Sequence, residues 1–580
     1  MTTVCIPFEF KINAGEKRAH VFRLKAGEYA RIEVEQKFID MTVKLYAPDG
    51  RLLIEMDGKD GRLWRQTLSC IAETDGEFAA EITAYGTAAA GIYTIKLAEK
   101  RAFAAPADRK RLAAEARLSA GRKFYSQPGK LAEAAREYEA AAALWRELGE
   151  AGWEAVSLTN LGRVTSDLSD DRKAVEILTR AIELVRKIGD RLGESNALVN
   201  LGNAHINLSE YDKAGASYKK ALLIRREIGD GRGEALALIG LGNIYYYLDH
   251  YEKAANYYRQ ALLIAREIKD LRVEGIMLNN LSSLYFNQKK YLEASRFYAQ
   301  SLKIRRQLQD LRGEGFTLNG LGNVHLKLKQ YERARAFYER ALEIRRRIGD
   351  RVGQSDTLNS LGGVFAELGQ YEQAHQYYVQ SLTLRKMNED LFGEGVTCWQ
   401  LLLLWEKAGR PELAAAYGKQ AVNAFQRIRE NIRNLDRAAQ KSFVAENTQA
   451  YRRLANILIS RGRLPEAIAV LDLLKDEEFK QLTRRRRDEA VPVIRFDQTE
   501  AALISALERI VALERERQKP LESGKLPAEK EKTRREKLRL DLAEAEAVLE
   551  SAADELRRRD KPVAAAGIGA LENAPALQNI

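Results

Sequence analysis

Between residues 151 and 430 the chain repeats itself every forty positions, and this period constrains the fold more than any other feature. Leu161-Gly162 recurs as Leu201-Gly202, Leu241-Gly242, Leu321-Gly322 and Leu361-Gly362, with Leu281-Ser282 in the repeat between. Tyr211, Tyr251, Tyr291, Tyr331 and Tyr371 form one column, and Tyr218, Tyr258, Tyr298, Tyr338 and Tyr378 a second. Ala214, Ala254, Ala294, Ala334 and Ala374 form a third. A unit of this length cannot bury its apolar face alone, so copies must stack on one another. The sequence therefore predicts a solenoid.

One unit shows what is stacked. In 191–230, Leu198, Leu201 and Ala204 fall at helical spacing, and Leu208-Ser209-Glu210 makes a turn. Ala214, Tyr218, Ala221 and Leu222 then mark a second helix. Gly202 and Ala214 are small where two helices approach, and Tyr211 and Tyr218 fill the space beside them. Leu–Gly followed by alanine, an aromatic and alanine at these offsets resembles the tetratricopeptide repeat in its longer form. Asp190, Asp230, Asp270, Asp310, Asp350 and Asp390 precede the first helices, where a carboxylate caps free N–H groups. Arg225-Arg226, Arg305-Arg306 and Arg345-Arg346 lie in the last turn of second helices, where cations suit the dipole.

The flanks are different material. Residues 1–101 alternate apolar and polar, as in Arg31-Ile32-Glu33-Val34-Glu35 and Tyr93-Thr94-Ile95-Lys96-Leu97, with turns at Pro48-Asp49-Gly50 and Asp75-Gly76. About eight short strands at this spacing predict a small antiparallel β-sandwich. The series resembles the pre-peptidase C-terminal (PPC) type of β-domain, which implies an accessory or binding module. A linker with Pro106 follows, and 108–430 reads as the repeat solenoid, its first unit at 108–149 lacking the Leu–Gly pair. Residues 431–487 read as a degenerate terminal helix pair. Leu503, Leu507 and Ile510, and then Leu538, Leu542, Ala545 and Leu549, predict a charged antiparallel hairpin over 498–560. The last stretch, 561–580, is expected to be disordered. The predicted fold is mainly α: eight or nine helix pairs in a superhelical tetratricopeptide solenoid, between a β-sandwich and a helical hairpin.

The motifs of chemistry are absent from the sequence. It holds no phosphate-binding glycine loop, no Cys-x-x-Cys and no His-Glu-x-x-His, so no catalytic, metal or cofactor site is expected. His20, His205, His250, His325 and His375 read as packing or surface residues. Cys5, Cys70 and Cys398 are too scattered for a disulfide framework and suit a reducing compartment. With no basic leader and no membrane-length apolar run, the chain is expected to be cytoplasmic and to make no membrane contact. The net charge of +12 is interleaved with 82 acidic residues, so nucleic-acid binding through Arg484–Arg487 and Arg557–Arg559 is the weakest of three readings.

The tetratricopeptide resemblance implies that the first helices line a concave groove. It places Val199, Asn203 and Asn207 inward, then Ile239, Asn243 and Tyr247, then Asn279 and Asn287, then Asn319, Asn323 and Lys327, and finally Asn359. An asparagine offers donors and an acceptor, so a ladder of them can hold an extended backbone without reading its side chains. Asn203, Asn243 and Asn323 match the asparagine that grips peptides in related repeats; Ser283 and Gly363 depart from it. The leading expectation is a non-catalytic scaffold for a protein or peptide partner, with the hairpin as a docking or self-association surface. The order of parts also resembles the front of bacterial TPR–CHAT proteins, in which a caspase-like domain follows. That resemblance implies the regulatory half of a protease system, and the last His and Cys, His375 and Cys398, both fall inside repeats.

Overall fold

The computed structural model describes residues 8–560 apart from 14, 38–39, 58–64, 86–90, 128, 169, 432–436, 483–492 and 519–527. The expected tail at 561–580 and the Arg484–Arg487 cluster lie outside the described residues. The chain divides into two units, Met1–Gln309 and Asp310–Ile580.

The first unit opens with strands β1 (Phe8–Ile12), β2 (Lys17–Leu24), β3 (Tyr29–Lys37) and β4 (Asp40–Tyr46). Strands β5 (Leu52–Asp57), β6 (Arg65–Ile71), β7 (Gly76–Tyr85) and β8 (Gly91–Arg101) complete it. They make two four-stranded sheets with the orders β1-β8-β3-β6 and β2-β7-β4-β5, antiparallel throughout. The alternation sets the faces: Val43 and Leu45 are buried, while Lys44 between them pairs at 3.5 Å with Glu55, its cross-strand neighbour. Ile32, Val34 and Leu68 from one sheet share a core with Met41, Phe78 and Ile82 from the other.

The helices then follow in pairs. The first helices of this unit are α1 (Pro106–Tyr125), α3 (Ala151–Asp167), α5 (Arg191–Asn207), α7 (Gly231–Tyr247) and α9 (Leu271–Asn287). Their partners are α2 (Leu131–Glu147), α4 (Asp171–Lys187), α6 (Tyr211–Glu227), α8 (Tyr251–Glu267) and α10 (Tyr291–Gln307). In the second unit α11 (Leu311–Lys327), α13 (Arg351–Glu367) and α15 (Leu391–Lys407) pair with α12 (Tyr331–Arg347), α14 (Tyr371–Met387) and α16 (Pro411–Asn431). A ninth pair is α17 (Arg437–Ser460) with α18 (Leu464–Leu482), and the hairpin is α19 (Gln498–Gln518) with α20 (Ala528–Arg559).

The repeated residues account for the pairing. A Cβ placed on Gly242 would stand 2.4 Å from the Tyr258 ring, and one on Gly322 2.4 Å from Tyr338, so the glycine column is the seat of the tyrosine column. Asp190, Asp230, Asp310, Asp350 and Asp390 each accept from the backbone N–H three residues on, which fixes where the first helices begin. Among first helices, α3 meets α5, α5 meets α7 and α7 meets α9; in the second unit α11 meets α13 and α13 meets α15. Second helices do not approach each other as closely, so within each unit the first helices lie on the inside of the curve.

The hairpin is built into the second unit. Leu503, Leu507 and Ile510 of α19 and Leu542, Ala545, Leu549 and Leu556 of α20 are buried in a core shared with α14 to α17. Its apolar seam is therefore spent within the chain, and Leu540 and Val548 are the large apolar side chains it leaves exposed among the described residues.

Candidate functional site

The inner face of the first helices carries the predicted ladder, and the structure gives its amides two kinds of duty. Asn203, Asn243 and Asn323 each accept through Oδ1 from a tyrosine hydroxyl: Tyr218 at 2.5 Å, Tyr258 at 2.7 Å and Tyr338 at 2.6 Å. Burial pushes all three hydroxyls to a higher pKa, so each remains a donor and requires an acceptor. The Nδ2 group of the same three amides bonds nothing among the described residues. Ser283 takes the corresponding place for Tyr298, at 3.1 Å.

Asn207, Asn287 and Asn319 reach neighbouring helices instead. Asn207 donates to Asp171 and Ser166 at 3.0 and 3.2 Å, and Asn287 donates to the Tyr246 oxygen at 2.7 Å. Asn319 accepts from Thr357 of the next first helix at 3.1 Å. Asn279 departs from the expected lining, being only 8% exposed. Its Oδ1 is buried and accepts no hydrogen bond among the described residues. Tyr247 and Lys327 are exposed, and Tyr247 stacks on Tyr211 with ring centres 6.5 Å apart.

An apolar band escaped the sequence reading. Leu236 and Phe316 lie two helical turns before Asn243 and Asn323 on the same face and are exposed, Phe316 by 55%. In the second unit Val352 and Phe392, near the starts of α13 and α15, are exposed as well. The signal was available as apolar residues seven positions ahead of the asparagine column.

The same face of the second unit holds a cavity of about 550 Å³ between α11, α13 and α15. Predicted residues Lys327 and Asn359 line it, together with Ser360, Gly363, Tyr378 and Gln400. Glu367 and Lys407, also on its wall, pair at 3.3 Å.

Other candidate groups are structural. Arg225 is buried and donates to Asp230, the cap of the next first helix, and to Ser195 and Asn196. Arg385 repeats the clasp with Asp390 at 2.6 Å, and Arg345 donates to Thr357 at 2.6 Å. His375 bonds the Tyr417 hydroxyl at 2.8 Å, and burial holds its imidazole down at about 3, hence neutral. His325 stacks on Phe337, with ring centres 5.1 Å apart. Cys70 and Cys398 are buried; burial pushes the Cys70 thiol up to about 12 and the Cys398 thiol well above its ordinary value. Arg557 lies over Trp405 and pairs with Asp554 at 2.6 Å, while Arg559 pairs with Asp497 at 3.1 Å, so this basic cluster is committed to internal partners. Among the described residues, no group of acidic, His and Cys side chains is placed to hold a metal, and no helix is long and apolar enough to cross a membrane.

A search of curated proteins finds no match. Among solved structures the chain is similar to BtubC (BKLC) from P. vanneervenii, with 21% identity over 42% of this chain and 93% of that one and a TM-score of 0.30. It is similar to the STAND protein PH0952 from Pyrococcus horikoshii, which has a tetratricopeptide repeat sensor: 22% identity over 44% of this chain and 41% of that one, TM-score 0.35. A Rap protein complexed with competence and sporulation factor is 14% identical over 66% of this chain and all (100%) of that one, with a TM-score of 0.41. A tetratricopeptide family model matches residues 124–187, 193–267, 273–346 and 314–387, and a second matches 426–479. These segments are tetratricopeptide repeats, and the chain is a solenoid of such repeats preceded by antiparallel β-sheets.

Proposed function

We propose that this protein is a non-catalytic interaction scaffold that holds an extended segment of a partner protein against the inner face of its repeats. The observation that carries this is the row of anchored amides. Tyr218, Tyr258 and Tyr338 fix Asn203, Asn243 and Asn323 by their oxygens, leaving each NH2 group without a partner among the described residues. A donor already held in place loses little rotamer freedom on binding a peptide carbonyl, so more of its hydrogen-bond energy reaches affinity. The exposed apolar band beside the amides suits alternate side chains of the same segment.

The test exploits the division of labour within the amide. Asn203→Asp, Asn243→Asp and Asn323→Asp together keep an acceptor for each tyrosine and remove the donor offered to a ligand. Quantitative pull-down from the native host should show the variant folded, with partners held by the wild type lost. If the triple variant retains the same partners at the same yield, the amides do not hold the segment.

A further inference from the structure

The chain supplies its own example of how a groove between second helices is closed. Between α14 and α16 stand Trp405, Leu413, Ala416 and Tyr417, all buried. The hairpin lies over this groove. Arg557 of α20 sits 4.9 Å above the Trp405 ring and pairs with Glu372 of α14 at 2.9 Å, and Arg515 of α19 donates to the Lys386 carbonyl at 2.7 Å. Forty residues earlier the matching groove, between α12 and α14, is open, with a volume of about 520 Å³. Leu361, Phe365 and Tyr377 floor it, the two rings stacked with centres 5.1 Å apart. Gln373 and Gln376 stand on its wall where the closed groove has Leu413 and Ala416. An apolar floor under a polar rim is the anatomy of a surface that docks and releases.

The charges on that rim break the repeat. Arg186, Arg226, Arg266 and Lys386 each pair with the glutamate eight residues on, at 2.6 to 2.8 Å. Eight residues after Arg346 stands Gln354, so Arg346 has no ion pair among the described residues and lines the groove instead. Glu339 and Glu343 line it on the same helix, ahead of Arg346.

The outward face of the hairpin carries the complement. Leu540, Ala543 and Ala547 form one exposed stripe of α20, Leu540 by 63%. On one flank of that stripe Arg539 precedes Glu546, and neither has an ion pair among the described residues. Seven residues separate Arg539 from Glu546, and seven separate Glu339 from Arg346, about 10 Å along either helix. Two such helices laid parallel oppose unlike charges at both ends.

We propose that a second copy of this chain fills the open groove, the outer stripe of its α20 lying on Phe365 and Tyr377 parallel to α12, with Arg539 toward Glu339 and Glu546 toward Arg346. Each copy carries both surfaces, so mutual exchange closes a dimer. The contact lies between second helices and leaves the inner face of the repeats free for the segment proposed above.

The test is sedimentation velocity of the full chain from nanomolar to submillimolar concentration. The wild type should pass from one chain mass to twice that mass. Arg346→Glu and Glu546→Arg, both at exposed positions, should keep the wild-type circular dichroism and each weaken the dimer about tenfold. Carried together they restore opposite charges and should recover most of the loss. Leu540→Asp should abolish the dimer. A chain monomeric throughout, a dimer indifferent to all three single changes, or a double reversal no tighter than either single one overturns the proposal. So does a monomer that loses a separate helical partner on Arg346→Glu, which would give the groove to another protein.

Discussion

Asn203, Asn243 and Asn323 carry an obligation inside the protein before they meet any ligand, and this changes what a mutation at them reports. Tyr258 is buried, and Asn243 is its acceptor at 2.7 Å. Asn243→Ala should therefore cost about 1–3 kcal/mol, the penalty of an unsatisfied buried hydroxyl. Asn243→Asp should stay near the wild type, and adding Tyr258→Phe to Asn243→Ala should recover part of the loss. Urea unfolding of the three variants checks this; an alanine variant as stable as the wild type would mean that the tyrosine finds another acceptor. The duty was partly legible in sequence, because asparagine and tyrosine recur fifteen positions apart (Asn203 and Tyr218, Asn243 and Tyr258, Asn323 and Tyr338). It was missed because a polar residue on an inward column was matched to a ligand before it was matched to the second helix.

At the scale of the element, the turn between helices is where the repeats differ. After α9 the chain passes through Lys289 at φ +60°, and after α8 through Lys269 at φ +54°, where other pairs place a glycine such as Gly349 at φ +69°. A side chain in the left-handed region is strained by roughly 1–2 kcal/mol, partly returned because glycine loosens the unfolded chain. Lys269→Gly and Lys289→Gly should each stabilise by about 0.5–1 kcal/mol and raise the melting midpoint, with additive effects at these separate turns. A fall in the midpoint would show that the lysine side chains contribute more than the strain costs. Helix boundaries were readable to within a residue or two because Asp190 through Asp390 act as caps at the forty-residue period. The arginines five positions earlier were not. Arg225 looked like an end-of-helix charge, yet it is buried and clasps the cap of the following helix, as Arg385 also does, a contact no single-helix pattern reveals.

At the scale of the whole molecule, two buried carboxylates sit where the repeats meet something that is not a repeat. Glu115 of α1 accepts from the Ser69 N–H at 2.7 Å and its hydroxyl at 3.0 Å, joining the first helix to β6. Burial raises its pKa to about 7 against the favourable pull of these bonds and of Arg111 and Arg31. A folded pKa above the unfolded value of 4.5 means that the folded state holds the proton longer. Stability of the first unit should thus fall as pH rises from about 4.5 to 7, by roughly 3 kcal/mol in all, and level off above. Glu115→Gln should flatten that slope, as read from urea midpoints across the range. Glu500 of α19 answers the same problem with charge. It is buried with Lys419 of α16, which is 0% exposed and donates to it at 2.6 Å, to Glu466 of α18 and to the Arg495 carbonyl at 3.1 Å. Arg463 donates to Glu500 at 2.8 Å and to Glu412 at 2.9 Å, so one network spans α16, α18 and α19. Breaking one partner of a buried pair costs about 3–5 kcal/mol, because the other charge stays behind without water. Lys419→Met should destabilise the second unit by that amount, and Lys419→Met with Glu500→Gln by less. Repeats touch chiefly their neighbours, so faster hydrogen exchange should be confined to α16–α20 and spare β1–α4. If Lys419→Met left exchange in α19 and α20 unchanged, the apolar seam alone would be what holds the hairpin to the repeats.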